Sequence, residues 1–286
     1  MNQHSYLVGL IAPGAEFSVS SELHCREAKR HELRYVCRHL GGQRDFGALL
    51  DDCRVFGFSG LSVAASADHP ASAAMDGLSR AAARTGTVTT VVYGTDGRAT
   101  GHDTGVEAFT AAFGRSLPNA GLSRVVQVGA TGAGVSAAHA LAERGVENLT
   151  LIDTDPARAS ALAEAVNRHA ENRPAKAHPV ETLDHHLKQA DGLVNALPAA
   201  EASNQLAQVL TESLRSDLWI CDLDQRPATG SLARAARALG CPVLHSGSLL
   251  VHTAAHTFHL VTGRRAYTPH MLGDFADLTA TPTAHS

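Results

Sequence analysis

The chain has 286 residues, 44% of them hydrophobic and 18% charged, with 24 basic against 28 acidic side chains and a formal net charge of −4. That is enough apolar mass for one large or two modest packed domains. No basic block and no apolar run near the ~20 residues of a membrane span occur, so neither nucleic acid nor membrane has a footprint as a partner.

The opening "MNQHSYLVGLIAPG" lacks a basic leader and reads as a first strand, "YLVGLIA". Ser18 to Arg34 is expected to be a helix opened by small polar residues, and "LRYVCRHL" a second strand. Phe46 to Val55 reads as a helix, Phe58 to Val63 with "GLSVAA" as a strand, and Asp76 to Arg84 as a further helix. "TVTTVVYG" and "DGRATGHD" form a hairpin on an Asp-Gly turn. From about residue 106 strands and helices alternate. "RVVQVGA" is read as a continuous apolar strand of the kind covered on both faces, followed by helix 133–144 and strand "NLTLID". Helix 156–169, strand "GLVNAL", helix 202–214, strand "LWICDL", helix 231–239 and strand "PVLHS" complete the series, and the last fifty residues are mainly helical. This alternation predicts an α/β fold with a doubly wound parallel sheet. Five scattered cysteines (25, 37, 53, 221 and 241) without a CxxC pair are expected to be buried free thiols in a reducing cytoplasm.

"VVQVGATGAGVSAAHAL" carries the most specific signal. Gly129, Thr131 and Gly134 occupy the three positions of G-x-G-x-x-G, after a strand and at the start of a helix, and Asp153 closes the next strand. Free N–H groups at such a helix start hold a pyrophosphate, so Gly129, Ala130, Thr131, Gly132, Gly134 and Asp153 are the expected dinucleotide contacts. Thr131 crowds a position where glycine normally admits the diphosphate, although its hydroxyl can donate to phosphate. Asp153 would accept from a ribose 2′-hydroxyl and repel a 2′-phosphate, and the following "TDP" supplies no arginine. NAD is therefore expected over NADP.

Together these pieces resemble the shikimate dehydrogenase family, including its quinate/shikimate members, over nearly the whole chain. "FSVSSELH" matches the family's S-x-S motif, with His24 following; "GFSGLSVAASAD" matches G-F-x-G-x-N-V-T-x-P-H-K; "TVTTVV", "GHDTG" and "DGLVNALP" match A-V-N-T-V-V, G-x-N-T-D and D-x-x-V-N-A-T-P; and "SGSLLVHTAAHTFHLVTG" matches the C-terminal segment. The resemblance implies a Rossmann domain, residues 106–246, and an α/β substrate-binding domain, residues 1–105 completed by helices at 247–286, with a cleft between them. It also places Ser18 and Ser20 on a substrate carboxylate, Ser62, Thr89 and Thr253 at further substrate positions, and Leu249 beside the nicotinamide.

The resemblance also exposes what is missing. The family's catalytic lysine position is Asp68, its partner aspartate is Gly105, and the tyrosine of D-x-V-Y-x-P is Gln225, while Asp222 and Pro227 remain. The only lysines are Lys29, Lys176 and Lys188, so none lies near enough to replace the lost one. Asp68, His69, His102 and Asp103 are the candidates for a different acid–base set, with a solvated loop before Pro70 as the plain alternative for the first two. His252, His256 and His259 share one helical face, but no further ligand or H-E-x-x-H pattern accompanies them and no metal is expected. Two readings stay open. One is an NAD-linked oxidoreductase acting on a small carboxylated substrate other than shikimate, in specialised metabolism. The other is a pseudoenzyme, ligand-binding protein or non-redox enzyme on the same fold. A homodimer is left open.

Overall fold

The computed structural model describes residues 5–11, 14–41, 45–64, 71–198, 201–223 and 232–280, with backbone only at 14–18 and 71. Contacts divide the chain into two units, 1–104 with 250–286, and 105–249.

The first unit begins with β1 (Ser5–Ile11), α1 (Gly14–Arg30), β2 (Arg34–His39), α2 (Phe46–Val55) and β3 (Gly60–Val63). After a 3-10 turn at 71–74 come β4 (Gly77–Leu78), α3 (Arg80–Thr85), β5 (Thr90–Tyr93) and β6 (Ala99–His102). The strands form one sheet in the order β2-β1-β3-β5-β6-β4. β1 runs parallel to β2 and β3, while the β5–β6 hairpin is antiparallel. The Asp96-Gly97 turn closes that hairpin, with Gly97 at φ 79 and its N–H donating to Gly94 O at 2.9 Å.

Two expected helices differ. α1 starts at Gly14 because Ala15, Glu16 and Phe17 are ordinary helix residues and nothing delays it to Ser18. It ends at Arg30 in a Schellman motif: Leu33 N–H donates to Ala28 O, Glu32 N–H to Lys29 O, and Glu32 sits at φ 56. With no glycine at that left-handed position, the stop is invisible in the sequence. The helix expected from Asp76 starts only at Arg80, because Ser79 caps it by accepting from Ala82 N–H at 3.2 Å. Asp76 instead accepts from Ala99 N–H and ion-pairs with Arg54, and Gly77–Leu78 become the sheet's sixth strand.

The second unit contains α4 (Gly105–Ser116), β7 (Arg124–Val128), α5 (Ala133–Glu143), β8 (Asn148–Ile152), α6 (Pro156–Asn167) and β9 (Ala175–Ala177). Then follow α7 (Leu183–Leu187), β10 (Gly192–Asn195), α8 (Asn204–Glu212), β11 (Trp219–Asp222), α9 (Leu232–Ala238) and β12 (Val243–His245). The order β12-β11-β10-β7-β8-β9 is all parallel. Counted from β7 it is 3-2-1-4-5-6, the doubly wound Rossmann order. Apolar clusters cover both of its faces, one including Phe109, Phe113 and Leu141, the other Leu183, Leu193 and Ile220. β9 and α7 are too short to have shown a period. α10 (Ser246–Thr262) begins in the second unit and returns the chain to the first, where α11 (Thr268–Thr279) follows.

Candidate functional site

The β7–α5 turn is built for close backbone approach. Gly129 sits at φ 100, and a Cβ there would lie 2.4 Å from the Ala196 carbonyl carbon. A Cβ on Gly134 would lie 2.6 Å from Gly129 O and 3.0 Å from Ala196 Cβ. The first and third glycines are thus sterically required, and Gly132 takes φ 52 at the helix start. Beneath them Gln127, fully buried, donates from Nε2 to Gly129 O (2.9 Å) and Gly134 O (2.8 Å). β7 is therefore not the wholly apolar strand expected; its one amide braces the glycine turn. Thr131 is half-buried in this turn, and its carbonyl accepts from Gly134 N–H. These residues fit a dinucleotide's pyrophosphate, with Thr131 the single departure.

Asp153 follows β8 and is held from several sides. Ala130 N–H donates to its Oδ2 (2.7 Å); Asp155 N–H (2.9 Å) and Arg158 Nε (2.9 Å) and Nη2 (2.6 Å) donate to Oδ1. The expectation that no arginine lies near this acid is corrected: one turn of α6 brings Arg158 round onto it. Arg158 also bonds through Nη1 to Glu201 Oε1 (3.2 Å) and through Nη2 to Glu201 Oε2, and Thr154 Oγ1 donates to Glu201 (2.9 Å). Asp153's side chain has no exposed surface, whereas Arg158 and Glu201 are 31% and 32% exposed. The surface presented here is Arg158 and Glu201, with Asp153 behind. Bonds from Glu201 and Asp153 raise the Arg158 pKa, and Arg158 lowers that of Glu201. Leu249, in the first turn of α10, is partly buried against the core of this unit.

In the first unit, Ser62 of β3 is registered opposite Thr90 of β5, and Thr90 opposite His102 of β6. Thr90 Oγ1 bonds Thr257 Oγ1 of α10 at 2.7 Å. Thr253, one turn earlier, lies on the same face of α10 as Thr257. No side-chain hydrogen bond of Ser20, Ser62 or Thr253 to another described residue is seen; Ser62 and Thr253 are partly buried. Thr89 differs: its Oγ1 accepts from Thr104 N–H (2.8 Å) and pairs with Thr104 Oγ1 (2.9 Å). That hydroxyl is spent inside the fold, against the expectation of a substrate contact.

Ser18 and Ser20 fall in the second turn of α1, not at its start, so the helix N-terminus does not reinforce them as an anion site. Ser20 is buried, and Ser18's side chain lies outside what is described. Asp68, His69, Gln225 and Pro227 also lie outside the described residues. His102 ends β6 half-buried, and burial lowers its pKa; Asp103 beside it is buried. Asn195 Nδ2 donates to Asp222 Oδ1 (3.0 Å), and Asp222 Oδ2 accepts Ala233 N–H (3.0 Å) at α9, so these motif residues join strand ends to a helix start. His252, His256 and His259 are respectively buried, half-buried and exposed, and no described group of His, Cys, Asp or Glu is arranged to hold a metal.

No family model matches the chain. A shikimate dehydrogenase (NADP(+)) from Streptomyces avermitilis is 43% identical over 288 residues, spanning 98% of each protein. The chain belongs to the shikimate and quinate dehydrogenase family. A second family member, the quinate/shikimate dehydrogenase (NAD(+)) of Corynebacterium efficiens, is 34% identical over 284 residues, covering 97% of this chain and all of that one. The structure of quinate dehydrogenase from Corynebacterium glutamicum in complex with NAD superimposes with a TM-score of 0.86 at 32% identity, over 96% of this chain and 99% of that one. The two named relatives differ in cofactor, so family membership alone does not choose between NAD and NADP.

Sequence reasoning missed Gln127 and Glu201, and raised Arg158 only as a reader of a 2′-phosphate, not as a partner of Asp153. A lone polar residue inside "VVQV" was the available signal for the first. Glu201 arrives from the loop before α8, and no local pattern announces it.

Proposed function

We propose that this protein is an NAD-linked oxidoreductase acting on a small carboxylated compound other than shikimate. The observation that carries this reading is the absence of any lysine between residues 30 and 175. The family's proton relay, which falls on Asp68 and Gly105 by resemblance, has no amine to run through. The titratable groups that the resemblance brings to that relay's place are Asp68, His69, His102 and Asp103. Burial lowers the His102 pKa and so favours the neutral imidazole, the form that takes up the proton released as a substrate hydroxyl is oxidised. A bound nicotinamide supplies the hydride acceptor. The hydroxyls of Ser20, Ser62 and Thr253 bind and orient the acid. Ser62 and Thr253, at positions where the family carries asparagine and glutamine, are shorter than those residues, which suits a bulkier ring or an added amino group on the substrate.

The preference for NAD rests on charge. Asp153 and Glu201 set two carboxylates against the one Arg158 guanidinium, at the place where a Rossmann unit meets the adenosine ribose. A ribose hydroxyl is accepted there and an added phosphate dianion is repelled. The alternative, a protein that binds a ligand without redox chemistry, is favoured by Thr131 in the glycine turn.

Calorimetric titration with NAD and NADP, followed by shikimate and quinate oxidation assays, tests the reading. Expected are NAD binding tighter than NADP, strengthened in Thr131→Gly, and no turnover of shikimate or quinate with either cofactor. Binding of neither cofactor selects the alternative, and turnover at ordinary dehydrogenase rates, about 1–10³ s⁻¹, overturns both.

A further inference from the structure

Asp153 closes β8, where the acid of a Rossmann unit ordinarily accepts from the adenosine ribose. Here its side chain has no exposed surface. Oδ1 is filled by Asp155 N–H and by Arg158 Nε and Nη2, and Oδ2 accepts from Ala130 N–H. A ribose hydroxyl reaches neither oxygen of a carboxylate that is bonded on both atoms and covered by protein. The acid that the glycine motif leads one to expect at the ribose is thus turned inward, onto the turn and onto Arg158.

Glu201 covers the outer side of this group. It belongs to the connection from β10 to α8, whereas Arg158 lies in the first turn of α6, after β8. β7 separates β8 from β10 in the sheet, so the Glu201–Arg158 pair joins chain from one side of the glycine turn to chain from the other. That is the crevice at which a doubly wound sheet takes its dinucleotide. The two Glu201 oxygens are unequal. Oε2 accepts from Arg158 Nη2 and from Thr154 Oγ1 (2.9 Å), while Oε1 has one long bond, 3.2 Å from Arg158 Nη1. Among the described residues Oε1 keeps an open lone pair, on a side chain that is 32% exposed. Glu201 also occupies both outer nitrogens of Arg158 at once, the bidentate grip with which a guanidinium otherwise holds a phosphate.

We propose that Glu201, not Asp153, is the acid that reads the adenosine ribose, and that Arg158 is a phosphate-binding group masked by it. The inference rests on the reading that the second unit binds a dinucleotide. Glu201 Oε1 accepts from the ribose 2′-hydroxyl of NAD. In NADP a phosphate dianion takes that place, meets the Glu201 carboxylate and finds the outer nitrogens of Arg158 already bonded. Asp153 is a positioning residue: it fixes the guanidinium from behind and does not touch the ribose. Cofactor choice then depends on one exposed charge outside both the glycine motif and β8, and neutralising that charge inverts the choice.

Calorimetric titration of the full-length protein with NAD and with NADP, in wild type, Glu201→Gln, Glu201→Gln with Arg158→Ala, and Asp153→Asn, tests this. Wild type should prefer NAD. In Glu201→Gln the NADP dissociation constant should fall by about 10–100-fold, the worth of a hydrogen bond between charged groups, so that NADP becomes the tighter ligand. Adding Arg158→Ala should abolish that gain. Asp153→Asn should move the NAD-to-NADP ratio less than Glu201→Gln does. An unmoved ratio in Glu201→Gln, with NAD still bound, overturns this assignment alone, as does a ratio that shifts more in Asp153→Asn. An NADP gain that survives Arg158→Ala overturns the role given to Arg158. Binding of neither cofactor to wild type overturns the dinucleotide reading and this inference with it. Should Asp153→Asn fail to fold by circular dichroism, the Glu201→Gln ratio and its reversal by Arg158→Ala decide.

Discussion

His24 of α1 has no exposed surface, stacks on Tyr35 at a ring separation of 5.7 Å and accepts or donates through Nδ1 to Tyr35 Oη at 3.1 Å. Its Nε2 has no partner among the described residues. Nothing there can hold a proton, and burial brings its pKa down to about 4. Between that value and the ~6.5 of an unfolded chain, the unfolded state binds the proton and the native state does not. Stability therefore falls as pH drops through this window, and is unaffected by His24 above it. The His24→Gln variant should lose less stability between pH 7.5 and 4.5 than the wild type, by roughly 2–3 kcal/mol, in urea titrations at the two values. Other half-buried histidines with lowered pKa, His102, His245 and His256, leave part of the acid slope in place. An unchanged drop in His24→Gln would show that His24 takes up its proton in the native state.

At the scale of elements, α1 and α11 are joined by ions rather than by apolar contact alone. Glu27, fully buried, accepts from Arg30 Nη1 (2.9 Å) and from Tyr267 N–H (2.7 Å), and meets His31 Nε2 at 3.2 Å. Arg30 also clamps Asp274 of α11 with bonds of 2.8 and 2.7 Å. Removing one partner of a buried, multiply bonded ion leaves the others unpaired, which costs far more than loss of a surface pair. Glu27→Ala should lower the unfolding free energy by roughly 2–4 kcal/mol, while Glu22→Ala, which breaks the half-exposed pair with Arg26, should cost under about 1 kcal/mol. Chemical denaturation of the two variants measures the difference. Equal losses would mean that packing, not Glu27's bonds, holds α11.

At the scale of the whole molecule, the two units differ in how they are assembled from the chain. The second is one continuous segment with apolar clusters on both faces of its sheet. The first is discontinuous, and one face of its sheet is covered from the far end of the sequence. Val261 packs on Val8 and Leu10, and Val251, Ala254, Ala255 and Met271 pack on Leu23. Residues 105–249 alone should give a cooperative α/β thermal transition by circular dichroism. Residues 1–104 alone should not, because their sheet would expose that apolar face; a cooperative transition from that fragment would contradict the assignment of α10 and α11 as its cover.

The amino-acid sequence by itself determined the elements whose signals are local. The period of "RVVQV", the glycines around residue 130 and the acid closing the next strand specify a Rossmann unit, because turn geometry and strand periodicity are properties of short segments. The missing lysine was equally legible, since a residue type is either present or not. Tertiary structure decided whatever depends on partners distant in the chain. Arg158 and Glu201 converge on Asp153 through one helical turn and a separate loop, Thr104 consumes the hydroxyl of Thr89, and a Schellman stop without glycine ends α1 at Arg30, before β2 begins. Each is a contact whose energy comes from burial and hydrogen bonding across the fold, and no spacing rule encodes it.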